Sequence, residues 1–268
     1  MSNQLVNPGV NILQLNVEGF TSLKSEIILQ ICKKHSFTTI LLQETHSENP
    51  EKFKIPGFSL VNWTKSPIYG LSTYVKNNTP YKNCGKYSSK DLEWIAVEIN
   101  GVLVVNVYKP PKSPLILKNL PHTSQSCIFA GDFNCHSTEW GYHETDKNGD
   151  LLTDWASNMG LALLHDPKEP KSFRSGRWGT ETDPDLAFTN LDYNRSVLDP
   201  FPKSQHRPSA ILSPNPLAGN PAKKVKRWNF RKADWKTFQT LVDDRSAELE
   251  DPVKAISTQP IGHGRTQF

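Results

Sequence analysis

Among the 268 residues no apolar run approaches the length needed to cross a bilayer, which takes about 20 residues. The first ten residues have neither the basic start nor the apolar core of a secretory leader. An intracellular protein with no membrane partner is expected. Cysteine is scarce, and Cys32, Cys84, Cys127 and Cys135 lie far apart with no CxxC pair or nearby histidine ligands. That excludes a zinc ribbon or a disulfide framework and leaves four reduced thiols. A regular β-α-β alternation is missing, which argues against a Rossmann pattern, and so is any internal repeat. Acidic residues are absent from 223–232, where six are Lys or Arg. Without that stretch the net charge of +4 becomes −2, with 25 basic against 27 acidic residues. A basic segment on a near-neutral domain suits either a polyanionic partner or a solvated linker.

What is present is a globular composition, with 36% hydrophobic, 10% aromatic and 22% charged residues, and 20 prolines that call for many loops. The length suits one large domain with a tail. β-like runs fall at 10–17, 38–43, 58–63, 71–75, 92–99, 102–108, 127–130, 161–164, 185–189 and 209–212. Asn100-Gly101 is a hairpin signal between two of them. Helical patterns are few: 22–35, with Leu23, Ile27 and Ile31 on one face, a short one opened by Ser113-Pro114, and 149–159. Many strands with few helices predict an α+β fold, a four-layer sandwich of two mostly antiparallel β-sheets flanked by helices. The expected organisation is a domain at 1–213, a basic linker at 214–232, and at 233–268 a solvent-facing helix (233–250) followed by a disordered tail.

Polar residues sit where several strands end. Asn16 follows the run 10–15, and Glu44 follows Ile40-Leu41-Leu42. A carboxylate there is well placed for Mg²⁺, a hard cation that takes oxygen ligands. Tyr108 ends the run 102–107, and Gly131-Asp132-Phe133-Asn134 follows Cys127-Ile128-Phe129-Ala130. Asp132 and Asn134 share a side if the chain stays extended, pairing a base or water-orienter with an amide that can contact phosphate. Asp185 opens Leu186-Ala187-Phe188, and His206 precedes Arg207-Pro208. A carboxylate and an imidazole can form an orienting pair. Taken singly, each has a bland alternative: a turn asparagine, a surface carboxylate, a capping histidine.

In order, Leu-Asn at 15–16, Leu-Gln-Glu-Thr at 42–45, Val-Tyr at 107–108, Gly-Asp-Phe-Asn at 131–134, Asp-Leu-Ala-Phe at 185–188 and Ser-Gln-His-Arg-Pro at 204–208 resemble the endonuclease/exonuclease/phosphatase (DNase I-like) superfamily over residues 10–213. The stretch Gly-Asp-Phe-Asn-Cys-His-Ser-Thr-Glu-Trp-Gly at 131–141 and the segment 228–235 resemble the endonuclease of jockey-like non-LTR retrotransposons and its link to a reverse transcriptase. No polymerase sequence follows, as expected of a detached or truncated piece of such a polyprotein.

The resemblance implies a DNA-nicking phosphodiesterase. Glu44 would bind Mg²⁺, with Mn²⁺ as a substitute, and Asn16 and Gln205 would support that site. Asp132 and Asn134 would position water and phosphate. His206, oriented by Asp185 and assisted by Tyr108, would stabilise the transition state. Ser172 would contact phosphate, and the Arg174, Arg177 and Trp178 loop would enter a DNA groove. Where the family usually has Ser-Asp-His, this chain has Ser204-Gln205-His206, so weaker Mg²⁺ binding is expected. The implied partner is double-stranded DNA, with element RNA on the basic linker, and the basic run 223–227 suits a nuclear location. Two other readings share these residues: a phosphodiesterase acting on a small or lipid substrate, and an inactive nucleic-acid-binding fragment.

Overall fold

A computed structural model describes residues 9–214 and 234–246, and two compact units divide the chain at Lys226/Arg227. The first unit carries, in order, β1 (Ile12–Asn16), α1 (Ser22–Lys34), β2 (Thr39–Gln43), β3 (Phe58–Trp63), β4 (Ser72–Lys76), β5 (Tyr81–Ser88), β6 (Glu93–Ile99), β7 (Val102–Tyr108) and β8 (Cys127–Asp132). There follow α2 (Lys147–Asn158), β9 (Ala162–Leu163), β10 (Phe173–Arg174), β11 (Glu181–Thr182), β12 (Asp185–Thr189), β13 (Asn194–Val197) and β14 (Ser209–Leu212). The second unit has α3 (Trp235–Ser246). Its N-terminus is held by Asp234, whose carboxylate accepts from the Thr237 N–H at 3.0 Å. Trp235, Phe238 and Leu241 are exposed on it. The expected basic linker, apart from Pro214, and the tail beyond 246 lie outside the described residues.

Two six-stranded sheets form the first unit, in the orders β13-β14-β1-β2-β4-β3 and β5-β6-β7-β8-β12-β9. Each has one parallel pair at its middle, β1 with β2 and β7 with β8, and antiparallel pairs elsewhere. Side chains alternate along a strand, and here they sort into three apolar layers. Leu13, Leu15, Ile40 and Leu42 face α1 through Ile28, while Val105, Val107, Phe129 and Phe188 face α2 through Leu152 and Trp155. Ile12, Leu41, Val104, Ile128 and Ala187 fill the space between the sheets. Three cores make four layers, so the predicted sandwich is the observed one.

Differences from the expected elements fall at edges. β5, β10, β11 and β13 were not predicted; they are short or polar, and β5 is almost wholly exposed. The helix expected after Ser113-Pro114 is replaced by one 3₁₀ turn at Leu117–Asn119. There the Ser113 carbonyl is claimed by side chains, Lys109 Nζ at 2.9 Å and Asn148 Nδ2 at 3.1 Å, instead of by a helical N–H.

Candidate active site

The inter-sheet layer changes character along its strands. Positions 12, 14 and 16 of β1 share a face, as do 41 and 43 of β2, 104, 106 and 108 of β7, 128, 130 and 132 of β8, and 185 and 187 of β12. Apolar side chains at one end give way to amides and then to charge. Gln14 Nε2 donates to Gln43 Oε1 and to Asp185 Oδ1, both at 2.8 Å, and Gln43 Nε2 donates to Asn106 Oδ1 at 2.7 Å. Asn106 Nδ2 ends the chain on the Leu42 and Ser72 carbonyls. A buried amide without partners is costly, so this network fixes how the sheets face each other and where their charged ends meet.

At that end His206 Nδ1 lies 2.8 Å from Asp185 Oδ2, and His206 Nε2 lies 3.9 Å from Asp132 Oδ2. The second spacing is too long for a hydrogen bond and leaves room for an oxygen atom touching both groups. Burial alone lowers the imidazole's pKa, but the Asp185 carboxylate, then Asp132 and Glu18, carry it up to about 9. Burial would raise Asp185, yet His206 and hydrogen bonds from Gln14 and Ser172 hold it below the usual carboxylate value. Asp132 differs: burial pushes it up to about 7 against the pull of His206. The arrangement is a lasting imidazolium–carboxylate pair beside a carboxyl group poised near neutrality.

Asn16 bridges the sheets, donating to Glu44 Oε1 at 3.0 Å and Asp132 Oδ2 at 2.9 Å, while its oxygen accepts from the Glu18 N–H at 3.1 Å. Both ends of its amide are thus engaged, and its Nδ2 links the Glu44 and Asp132 carboxylates. The Tyr108 hydroxyl donates to Glu44 Oε1 at 2.8 Å, and burial with the Glu44 and Asp132 charges holds its proton in place. Asn134 donates its side-chain N–H to the Lys109 carbonyl at 3.0 Å, and its backbone N–H reaches Asp132 Oδ1 at 3.2 Å. Glu18, Glu44, His46, Asn134 and Lys203 all have positive φ, a conformation that costs about 1–2 kcal/mol per non-glycine residue. Such strain gathers where side-chain aim matters more than backbone ease.

Glu18 was not among the sequence-predicted site residues, although it stands two positions beyond Asn16. Its carboxylate is 4.0 Å from His206 Nε2 and accepts from Gln205 Nε2 and the Gln205 N–H, each at 3.3 Å. Buried Lys24 ties its loop down, donating to the carbonyls of Val17, Glu18 and Lys203. The oxygen of Gln205 accepts from the Gly176 N–H at 2.6 Å and so faces the β10–β11 hairpin.

Two places could hold a cation. Asp132, Asp185 and His206 bring three ligand atoms within 4.8 Å of one another. That trio is buried, and the His206 imidazolium offsets part of its carboxylate charge. Glu44 and Glu18, both partly exposed, follow the paired strands β2 and β1 and carry oxygen donors of the kind a hard divalent cation takes.

Ser172 is buried, and its Oγ accepts from the Asp185 N–H at 3.4 Å while its carbonyl accepts from the Arg207 N–H at 2.6 Å. It therefore braces the loops around His206, and Phe173 packs edge-on to that imidazole with centroids 4.9 Å apart. Asp183, the other carboxylate in the Asp-Pro-Asp segment, turns away to Lys171, Arg195 and the Ser172 N–H. Arg174, Arg177 and Trp178 are exposed, the Arg177 guanidinium lying 4.6 Å from the Trp178 ring centroid. Between hairpin and His206 loop lies a cavity of about 360 Å³ lined by Arg174, Gly176, Gln205, His206 and Arg207. The structure thus brings Asn16, Glu44, Tyr108, Asp132, Asn134, Asp185 and His206 into one cluster and sets the hairpin residues at its margin.

Residues 102–210 match the family described as endonuclease-reverse transcriptase. No curated protein matches the chain in sequence. Among solved structures, the endonuclease domain of TRAS1, a telomere-specific non-LTR retrotransposon, is similar with a TM-score of 0.60 and 19% identity, over 77% of this chain and 99% of that one. An AP endonuclease from Archaeoglobus fulgidus gives 0.58 and 16%, over 77% and 100%. A mannosyl-6-phosphatase from Bacteroides thetaiotaomicron gives 0.50 and 13%, over 76% and 99%. The two-sheet fold is thus that of these solved structures, and the family match over 102–210 runs from β7 into β14.

Proposed function

We propose that the first unit is a divalent-metal-dependent endonuclease that nicks double-stranded DNA, leaving a 3′-hydroxyl able to prime reverse transcription. The observation that carries this reading is the line Asp132–His206–Asp185 set beside Glu44 and Glu18. Phosphodiester hydrolysis needs an activated water, charge stabilisation at phosphorus and a supported leaving oxygen. Asp132, near neutrality, accepts the proton of the attacking water, and Asn134 orients water and phosphate. The His206 imidazolium, kept charged by Asp185, donates to a nonbridging phosphate oxygen, and the departing 3′-oxygen takes its proton from solvent water at the open rim. Tyr108 and Asn16 hold the Glu44 carboxylate in one orientation. Mg²⁺ held by Glu44 and Glu18 would neutralise charge on the phosphoryl group. Arg174, Arg177 and Trp178 contact DNA flanking the cut, and the basic segment 223–232 adds affinity for DNA or element RNA.

The test is conversion of supercoiled plasmid to open circle by the purified chain with Mg²⁺, Mn²⁺ or EDTA, followed by polymerase extension from the nick. Metal-dependent, extendable nicks are expected. Release of phosphate from phosphomonoesters with intact plasmid would move the chain to the phosphatase side of the superfamily, and inertness of folded protein toward both would sink the enzyme reading.

A further inference from the structure

Two residues beyond Asn134 the chain presents an aromatic pair that the mechanism does not use. The exposed His136 imidazole lies flat on the Tyr142 ring, with centroids 4.2 Å apart and planes within 13°. Its α-carbon is at most about 7 Å from that of Asn134. The backbone beneath is pinned at both polar atoms: the His136 N–H donates to Asp146 Oδ1 at 3.3 Å, and the His136 carbonyl accepts from the Asp146 N–H at 3.0 Å. Asp146 in turn caps α2 through the Gly149 N–H at 2.7 Å. Only glycine fits at 149, because a β-carbon there would stand 1.8 Å from the His136 carbonyl oxygen.

Tyr142 lies against β11. It hydrogen-bonds Thr182 of β11, and after burial the charges of Asp132, Asp185 and Asp183 hold its phenol above the ordinary pKa. A cation lies alongside, ion-paired with Asp183 at 3.3 Å: a β-carbon on neighbouring Gly141 would be 2.4 Å from Lys171 Nζ. A rigid stacked pair with an ammonium at its flank matches the chemistry of a nucleotide, a flat base joined to a phosphate. Within a paired duplex both faces of each base are covered by neighbours, so a protein ring can stack on a base only when it has left the helix.

We propose that the His136–Tyr142 stack receives one extrahelical base beside the cut, with Lys171 meeting its phosphate. The inference rests on the nuclease reading for its ligand. It places a sequence-tolerant grip on the Asn134 side of the site, separate from the hairpin arginines.

The experiment compares affinities, by fluorescence anisotropy in EDTA, for a duplex of about 30 base pairs and the same duplex with one bulged base. Wild type, His136→Ala and His136→Phe are measured, with plasmid nicking by the wild type in parallel. Wild type is expected to prefer the bulged duplex about tenfold, His136→Ala to lose that preference, and His136→Phe to keep it. Equal affinities in the wild type, or a preference that survives in His136→Ala, overturns the proposal. Nicking without preference sinks the stack and spares the nuclease; preference without nicking does the reverse.

Discussion

The rear and the rim of the site are built on different terms. At the rear, Asn16, Tyr108, Asp132, Asp185 and His206 are each no more than 5% exposed, and amides running from Asp185 into the inter-sheet layer hold them from behind. At the rim, Glu18 and Glu44 are half-buried, Gln205 and Arg174 are exposed, and Trp178 is 71% exposed. The rear is sheet, with charges set by the packing of two layers. The rim is loop, carried on left-handed residues and one buried lysine. Electrostatic stabilisation is strong only where dipoles are fixed and water is excluded, whereas a hydrated ion and a long polymer need room. Rear substitutions should therefore strike turnover, and rim substitutions the concentrations of metal and DNA required.

The largest effect is expected from Asp132→Asn or His206→Ala, each lowering the nicking rate at saturating metal by about a thousandfold. A change confined to the metal concentration for half-activity would erase the distinction between rear and rim. Asp185→Asn should follow, with about a hundredfold loss and a change in pH dependence. His206 is carried from 6.5 up to about 9 in the folded chain. Its pairing with Asp185 therefore stabilises the fold fully below about 6.5 and loses that contribution as pH rises through 9. Activity should rise as Asp132 ionises near 7 and fall as His206 loses its proton near 9. In Asp185→Asn the alkaline limb should move to lower pH; an unmoved limb would deny the pair its role.

Gln14→Leu probes the same region from two positions away along β1. Removing a buried donor to an ionised carboxylate costs roughly 1.5–3 kcal/mol, so a loss of about tenfold in rate is expected, together with a small upward shift of the alkaline limb, because a carboxylate that loses a donor holds the imidazolium proton more strongly. Unfolding by urea separates the outcomes: equal stability loss with an unchanged pH profile would make Gln14 a packing residue and nothing more.

Gln14 also marks what the sequence does and does not disclose. The strands that carry the rear residues are apolar and alternate, so their bounds are legible: 58–63, 102–108, 185–189 and 209–212 coincide with β3, β7, β12 and β14. The ends of such strands are where polar residues stand out, which is why Asn16, Glu44, Tyr108, Asp132 and Asp185 are visible as candidates. Gln14, Gln43 and Asn106 lie inside the strands, and their signal was a polar residue on a face otherwise apolar. Glu18 lacked even that, since a carboxylate in a loop looks like a solvated one until the fold brings residue 205 to it. Edge strands such as β5 face water, so no alternation betrays them.

The smallest effect expected is a gain, from Gln205→Asp. In the present arrangement Gln205 donates to Glu18 twice and accepts from Gly176, so it joins the rim carboxylate to the hairpin. An aspartate there would face Glu18 as a like charge, a repulsion that a divalent ion between them relieves, and affinity at oxygen sites rises with ligand charge. The Mg²⁺ concentration for half-maximal nicking should fall about three- to tenfold, and the thermal midpoint should drop in EDTA but recover with added Mg²⁺. Turnover at saturating metal should change little, because the rear is untouched. A lower midpoint that Mg²⁺ does not restore would mean that Gln205 serves the hairpin alone and that the ion lies elsewhere. If turnover changed as much as metal requirement, rear and rim would be one unit, and the separation drawn from burial and hydrogen bonding would not describe how the site works.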